Sequence, residues 1–259
     1  MKPIILILFF TFTQSFSYAQ TFELIDSIPV KQPTVQKIST DLNQSLYLIS
    51  VTKIEKIYSN KVSKNIDLKN IITSVDSNNP LRLYLFSNFN QLSILDEHLN
   101  PIQDAVKISS TDFIPTTLKV VDNQFCWFYD LMGNKLIYFN YQLQKPLLTS
   151  KQIYFKNNDQ SIEAIHTYRH SVYLKGQNTI YKYDDFGNFK TNFLLEIQQS
   201  PYLFYNNALY YFKENTFYST NLETLQTTTL FKSKPIKSFA LNETHFYTFD
   251  GNNIYIYKR

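Results

Sequence analysis

The sequence contains one cysteine and four glycines, and each scarcity excludes a class of protein. With Cys126 alone the chain cannot form an internal disulfide, so an extensive hydrophobic core must hold its fold. Cys126 lies among Phe125, Trp127 and Phe128, which indicates a small core residue rather than a reactive thiol. With only four glycines, the sequence contains no Gly-x-Ser-x-Gly nucleophile elbow and no glycine-rich loop that could bind a phosphate.

The charged residues show no concentration of one sign. Lysine and arginine number 25, aspartate and glutamate number 21, and the net charge of +4 is dispersed along the chain. A nucleic-acid-binding surface needs a basic patch or stripe, which this distribution does not provide. We therefore expect no nucleic-acid partner.

The four histidines do not form a recognisable metal site. His166 and His170 are four residues apart, but their surroundings predict a strand and a turn, so the two rings need not share a face. No cysteine or carboxylate stands beside them at the spacing of a zinc site. The sequence therefore predicts no metal and no other cofactor.

One turn gathers oxygen atoms in a way that could suggest calcium. It contains Asp184, Asp185 and Asn188. A calcium loop usually needs alternate acidic positions and a distant bidentate glutamate. A hairpin turn with Gly187 at positive φ explains the same residues more simply.

The N-terminus has the composition of a secretory signal peptide. Lys2 gives a positive end, residues 4–12 are almost continuously apolar, and residues 17–19 include the small side chains that a signal peptidase accepts. The apolar run is shorter than the about 20 residues that span a membrane. No cysteine for lipid attachment stands near the cleavage site. We expect cleavage after Ala19 and export of residues 20–259 to the periplasm or out of the cell, with no membrane-spanning segment.

A repeated pattern predicts the fold. Six times the chain shows a polar turn, an apolar strand, a second turn and a second strand, which contains aromatic residues in five of the copies. The equivalent first-strand positions are Leu46, Leu83, Phe125, Val172, Leu209 and Phe246. These positions are 37 to 47 residues apart, close to the about 40–45 residues of a four-stranded propeller blade. The sequence therefore predicts one all-β domain over residues 20–259, a six-bladed β-propeller with four-stranded blades.

Each copy supplies the two middle strands of a blade, so an inner strand must precede it and an outer strand must follow it. Suitable inner strands lie at residues 35–39, 71–75, 117–121, 161–166 and 236–241, and a less distinct one lies near 201–205. The last copy ends at Arg259 without an outer strand, whereas residues 21–30 alternate between apolar and polar with no copy before them. We expect this N-terminal strand to complete the last blade, because pairing there would close the ring and cover an exposed strand edge.

The stretch Ile180–Phe189 runs from a strand into an Asp-x-x-Gly turn, and Leu95–Pro101 is a weaker echo of it. The first stretch resembles the end of an NHL-type repeat, and the chain after Gln20 resembles secreted six-bladed propellers of the NHL/TolB-like kind. Segments 74–80 and 86–90 are similar to a group of envelope propellers of Bacteroidota bacteria. The resemblance implies a fold and not a chemistry, so it transfers no functional residue.

Several polar and aromatic residues at strand ends are candidates for ligand binding. They are Arg82, Tyr129, Asp130, His166, Arg169 and His170. Trp127 is the only tryptophan, and we expect it in the core between blades because large aromatic side chains are mostly buried. No residue is given a catalytic role, since scattered carboxylates cannot be paired into a glycosidase site from the sequence.

A complete scaffold without a chemical signature favours a non-catalytic function. The first hypothesis is an exported protein-binding or scaffold module, either monomeric or part of a hetero-complex, with a protein partner in the cell envelope. The alternative is a propeller that binds a small ligand or a glycan in its central funnel. A hydrolase or lyase is the third hypothesis, and it requires that histidine and carboxylate candidates such as His166, His170, Asp130 and Asp185 converge.

Overall fold

The computed structural model describes residues 22–108, 112–195, 197 and 200–259. Within these ranges it contains 24 strands, arranged as six antiparallel sheets of four strands each. The predicted signal peptide, residues 1–19, lies outside the described residues. No helix in the described ranges is long and apolar enough to cross a membrane.

The strands of each sheet occupy four positions, counted outward from the axis of the ring. The inner strands are β2 (Lys37–Thr40), β6 (Ile72–Asp76), β10 (Pro115–Val120), β14 (Ala164–Tyr168), β18 (Tyr202–Tyr205) and β22 (Ser238–Leu241). The second strands are β3 (Leu46–Ile49), β7 (Arg82–Ser87), β11 (Phe125–Asp130), β15 (Ser171–Lys175), β19 (Ala208–Lys213) and β23 (His245–Phe249). The third strands are β4 (Lys53–Ile57), β8 (Gln91–Asp96), β12 (Lys135–Asn140), β16 (Thr179–Asp184), β20 (Thr216–Asn221) and β24 (Asn253–Lys258). The outer strands are β5 (Ser63–Asp67), β9 (Val106–Lys107), β13 (Lys145–Thr149), β17 (Phe189–Leu194), β21 (Thr227–Lys232) and β1 (Glu23–Pro29).

This arrangement confirms the predicted six-bladed propeller. The second strands are almost wholly buried, and all four residues of β3 are at most 6% exposed. Neighbouring blades cover both faces of such a strand, so its sequence is a nearly continuous run of apolar residues. Burial in β4 instead alternates residue by residue.

The ring closes as predicted, with the first strand of the chain in the last blade. β1 pairs antiparallel with β24, from Glu23 opposite Lys258 to Pro29 opposite Asn253. The first and last blades also meet at their inner strands, where the backbone N–H of Ile38 donates to the Ser238 hydroxyl at 3.1 Å.

The core consists of six apolar clusters, one at each junction between neighbouring blades. Cys126 is fully buried in one of them, and burial raises the pKa of its thiol. Trp127 is 3% exposed in the next. Both predictions of a core position are therefore confirmed.

Because neighbouring strands are antiparallel, the turns fall on two opposite faces of the ring. One face carries the connections between blades and the turns between second and third strands, and we call it the connector face. The other carries the turns that join first to second and third to fourth strands, and we call it the hairpin face. The inner strands run from the connector face to the hairpin face, so a residue's position along its strand gives its depth in the channel.

Candidate binding face and channel

A central channel of about 390 Å³ is lined by residues of five blades. They come from the inner strands β2, β6, β10, β14 and β18 and from the segments beside them. The charged and imidazole side chains among them are Lys37, Asp76, Lys119, Glu163 and His166. The channel therefore brings together groups that lie far apart in the sequence.

Two of the channel acids already have cationic partners. Lys119 forms a partly buried ion pair with Asp76, which joins the inner strands of the second and third blades. Lys175 is 2% exposed. Its ammonium lies 2.6 Å from a Glu163 carboxylate oxygen and 4.4 Å from the centre of the Tyr202 ring. Each negative charge is thus balanced within the protein.

Lys37 differs from the other channel cations. Among the described residues, no acidic side chain forms an ion pair or a hydrogen bond with its ammonium. Water reaches the side chain, yet the channel surrounds it with protein, and the resulting desolvation lowers its pKa. Lys37 is exposed to water, so its unpaired charge is tolerated. Its position on the channel lining lets the ammonium form an ion pair with an incoming anion.

His166 is a neutral hydrogen-bond donor rather than a cation. Its Nε2–H donates to the backbone carbonyl of Asn206 at 2.7 Å, and its ring stacks on Phe204 with centroids 4.9 Å apart. Burial lowers its pKa to about 4, well below the ordinary 6.5. The imidazole is therefore uncharged at neutral pH and fixes the inner strand of the fourth blade to that of the fifth.

Protonation of His166 should destabilise the fold as the pH falls from 6.5 to about 4. In this window the unfolded chain binds a proton that the folded chain rejects, so stability is complete above 6.5 and is lost toward 4. The loss should approach about 3 kcal/mol, and it should be smaller in His166→Gln. Urea unfolding at several pH values measures it. His98→Gln, in an exposed turn, should keep the wild-type profile, and equal profiles for His166→Gln and wild type would refute the assignment.

Tyr129 and Asp130 are buried and have internal partners. The Tyr129 hydroxyl donates to the Asn134 side-chain oxygen at 2.8 Å. Asp130 is 2% exposed and accepts backbone N–H groups of Ile114 and Gly133, both at 2.8 Å. The pair holds together the connector-face turn of the third blade, next to the channel mouth.

The remaining sequence candidates lie apart from the channel. Arg82 donates to the side-chain oxygen of Asn123 on the hairpin face. His170 and Asp185 do meet, at 2.9 Å, but the His170 side chain is 93% exposed, so water screens the pair. Arg169 turns its guanidinium over the ring of Tyr168 in an exposed turn. The six candidates therefore do not form one site, and His166 alone among them lines the channel.

Exposed apolar side chains collect on the connector face of the second and third blades. They are Ile71 (57% exposed), Phe89 (52%), Ile114 (48%), Leu131 (48%) and Met132 (54%). We call these five residues the apolar crescent. Ile71, Phe89 and Leu131 line a groove of about 750 Å³ at the mouth of the channel. Contiguous exposed apolar surface is typical of a docking site.

Phe89 is the most unusual member of the crescent. It occupies the turn between β7 and β8, where both central residues have positive φ, 48° at Asn88 and 55° at Phe89. Such turns favour asparagine and glycine, and a bulky side chain there costs about 1–2 kcal/mol. The corresponding turn of the fifth blade is one residue shorter and also has two consecutive residues at positive φ, Glu214 and Asn215. An exposed phenylalanine is thus required neither by the turn nor by the core.

A second groove, of about 530 Å³, lies on the circumference beside the fourth blade. Tyr154 (76% exposed) and Phe189 (51% exposed) present aromatic surface there, with Lys151 and Asn192 near them. Aromatic faces beside polar groups suit a carbohydrate or a peptide.

No cluster of three or more histidine, cysteine, aspartate or glutamate side chains in the described ranges is arranged to hold a metal ion. The fold is a six-bladed β-propeller whose central channel opens into a groove on the connector face. No protein-family model matches the sequence, and no curated protein matches it.

Several solved structures share the fold. The structure of streptogramin B lyase is 12% identical, with 92% of this chain and 87% of that chain covered and a TM-score of 0.61. BamB from Moraxella catarrhalis is 6% identical over 92% of this chain and 100% of that chain, with a TM-score of 0.55. The Pan2 WD40 domain from Neurospora crassa is 7% identical over 93% and 96%, with a TM-score of 0.63. Identities this low show the fold alone, and propellers host many functions.

Proposed function

We propose that the protein is an exported, non-catalytic β-propeller that binds a polypeptide partner in the cell envelope through the apolar crescent. The observation that carries the proposal is Phe89, an exposed aromatic side chain in a strained turn at the rim of the channel. Backbone strain that does not serve the fold is found mainly at functional sites. Aromatic side chains are also the commonest anchors of protein interfaces.

The distribution of the other exposed apolar residues supports this choice of face. On the hairpin face they stand at separate turns around the ring, as Leu42, Leu81, Phe186 and Leu225 do. Scattered single residues of this kind are normal on protein surfaces. On the connector face, by contrast, the five crescent residues come from two adjacent blades, and three of them line one groove.

The channel chemistry favours binding over turnover. Asp76 and Glu163 are engaged in ion pairs, and the low pKa of His166, about 4, makes it a weak base at neutral pH. A glycan in the circumferential groove near Tyr154 is the second candidate, supported by that exposed aromatic ring. Among the residues that the structure describes, the circumferential groove has no strained, exposed aromatic residue comparable to Phe89. A polypeptide on the crescent is therefore our first candidate and a glycan in that groove our second.

Phe89→Asp should reduce capture of the partner at least tenfold, because it puts a charge at the centre of an apolar contact; loss of an aromatic anchor alone costs about 2 kcal/mol or more. Tagged protein would be purified from crosslinked native envelopes, and the co-purified proteins quantified by mass spectrometry. The matched control is Leu143→Asp, since Leu143 is 64% exposed on the hairpin face.

Leu143→Asp should melt at the wild-type temperature because its side chain is exposed, and Phe89→Asp should melt at or slightly above it because aspartate tolerates the positive φ better than phenylalanine does. A partner retained by Leu143→Asp and lost by Phe89→Asp supports the proposal. A partner lost equally from both variants, or from neither, would overturn it.

A further inference from the structure

The channel and the groove beside the crescent are one continuous space. Both are lined by Ile72, Thr73, Ser74, Thr117 and Glu163. A chain that docks on the crescent can therefore extend into the channel without leaving the protein surface.

The charges at the channel leave one positive charge unbalanced. Lys119 is paired with Asp76, and Lys175, behind the wall, is paired with Glu163. Lys37 stands at the connector-face end of β2 and lacks such a partner among the described residues. One entering anion would neutralise it, and a carboxylate is the anion that a polypeptide can supply.

The walls between these charges are about equally polar and apolar. Ile49 and Phe204 contribute apolar atoms, whereas Ser39, Ser74 and Thr117 contribute hydroxyl groups. A ligand that fits must combine an anionic group with neighbouring groups that tolerate this mixed lining. Strands of five blades surround the channel, which favours a narrow chain end over a segment that continues in both directions.

We infer that the channel receives the C-terminus of a polypeptide, whose terminal carboxylate binds the Lys37 ammonium. The inference rests on the proposed function, because the crescent would hold the residues that precede this end. It adds the chemistry of the segment that is recognised.

The test uses two fluorescein-labelled peptides, Gly-Ser-Gly-Ala-Leu-Phe with a free carboxylate and the same peptide ending in an amide. Fluorescence anisotropy with the full mature protein measures both affinities. The free acid should bind about tenfold more tightly, since the neutral amide can accept a hydrogen bond from the Lys37 ammonium but cannot form an ion pair with it. In Lys37→Gln the affinity for the acid should fall to that for the amide. Lys107→Gln, on the exposed strand β9, should leave both affinities unchanged.

Equal binding of the two peptides, a preference that persists in Lys37→Gln, or no binding of either peptide at millimolar concentration would overturn the inference. Its failure can be distinguished from failure of the proposed function. If neither peptide binds while partner capture still depends on Phe89, the proposed docking face is supported and the chain-end inference is wrong. If the protein prefers the free acid while Phe89→Asp captures the partner normally, the proposed role of the crescent is wrong and only the channel site is supported.

Discussion

Removal of residues 20–30 should lower the melting temperature by about 10 °C or more, or prevent folding altogether. The deletion takes away β1, the outer strand of the last blade, and with it the pairing that runs the length of β24. The edge of β24 would then be open to other chains, so the truncated protein should also aggregate.

The expected magnitude follows from the apolar contacts of this segment. The half-buried Phe22 ring lies 4.6 Å from that of Phe231 and 5.5 Å from that of Phe246, against the cluster between the fifth and last blades. Ile28 and Val30 pack on the cluster between the last and first blades. Full burial of one such apolar side chain contributes about 1.5–3 kcal/mol, so three partly buried ones together contribute a few kcal/mol, and 1 kcal/mol shifts the melting temperature of a domain of this size by about 2–4 °C.

Circular dichroism melting of two proteins, residues 20–259 and residues 31–259, measures the effect. The control is Leu24→Ser, which keeps the strand and changes a side chain that is 54% exposed. It should melt within about 2 °C of wild type, because exposed substitutions rarely change stability by more than about 0.5 kcal/mol. Wild-type melting of the truncated protein would contradict the closed ring.

The fold was predictable because each blade repeats one local pattern. Even single turns indicated the repeat, as the Asp-x-x-Gly turn that begins at Asp184 and the similar turn without glycine that begins at Asp96 show. In both turns the aspartate accepts the backbone N–H four residues later at 2.8 Å. The left-handed position is Gly187 in one turn, with φ of 79°, and Leu99 in the other, with φ of 60°. Leu99 is buried, so packing offsets the backbone cost that glycine would avoid.

The candidate site was less predictable because it depends on the ring. Lys37 resembles any other lysine in the sequence, and only the meeting of five blades shows that it faces a channel without an acidic partner. Tyr129 and Asp130 were chosen because they lie where a strand meets a turn, which does not reveal that both are buried. The Asn88-Phe89-Asn90 turn did carry a signal, since phenylalanine replaces the expected glycine, but a sequence alone does not show that the ring is exposed.

Replacement of Asp41 by alanine should destabilise the protein by about 3–5 kcal/mol, the usual result of removing one partner of a buried ion pair. The Asp41 side chain is fully buried and lies 3.5 Å from the ammonium of Lys56, which is itself 3% exposed. Asp41 also accepts the Tyr47 hydroxyl at 2.9 Å, and burial together with this carboxylate raises the pKa of Tyr47. Lys56 in turn donates to the backbone carbonyl of Glu97, so the network connects the first blade to the second.

The double variant Asp41→Ala/Lys56→Met decides whether the unpaired charge causes the loss. Without Asp41 the Lys56 ammonium is buried with only a carbonyl and two tyrosine rings around it, whereas methionine at that position needs no counter-charge. The double variant should therefore be more stable than Asp41→Ala alone. Urea unfolding of both single variants and the double variant gives the coupling energy, with Asp67→Ala, an exposed residue of β5, as the control. Additive losses would show that the two side chains act independently, and a loss below about 1 kcal/mol in Asp41→Ala would show that this network does not hold the first two blades together.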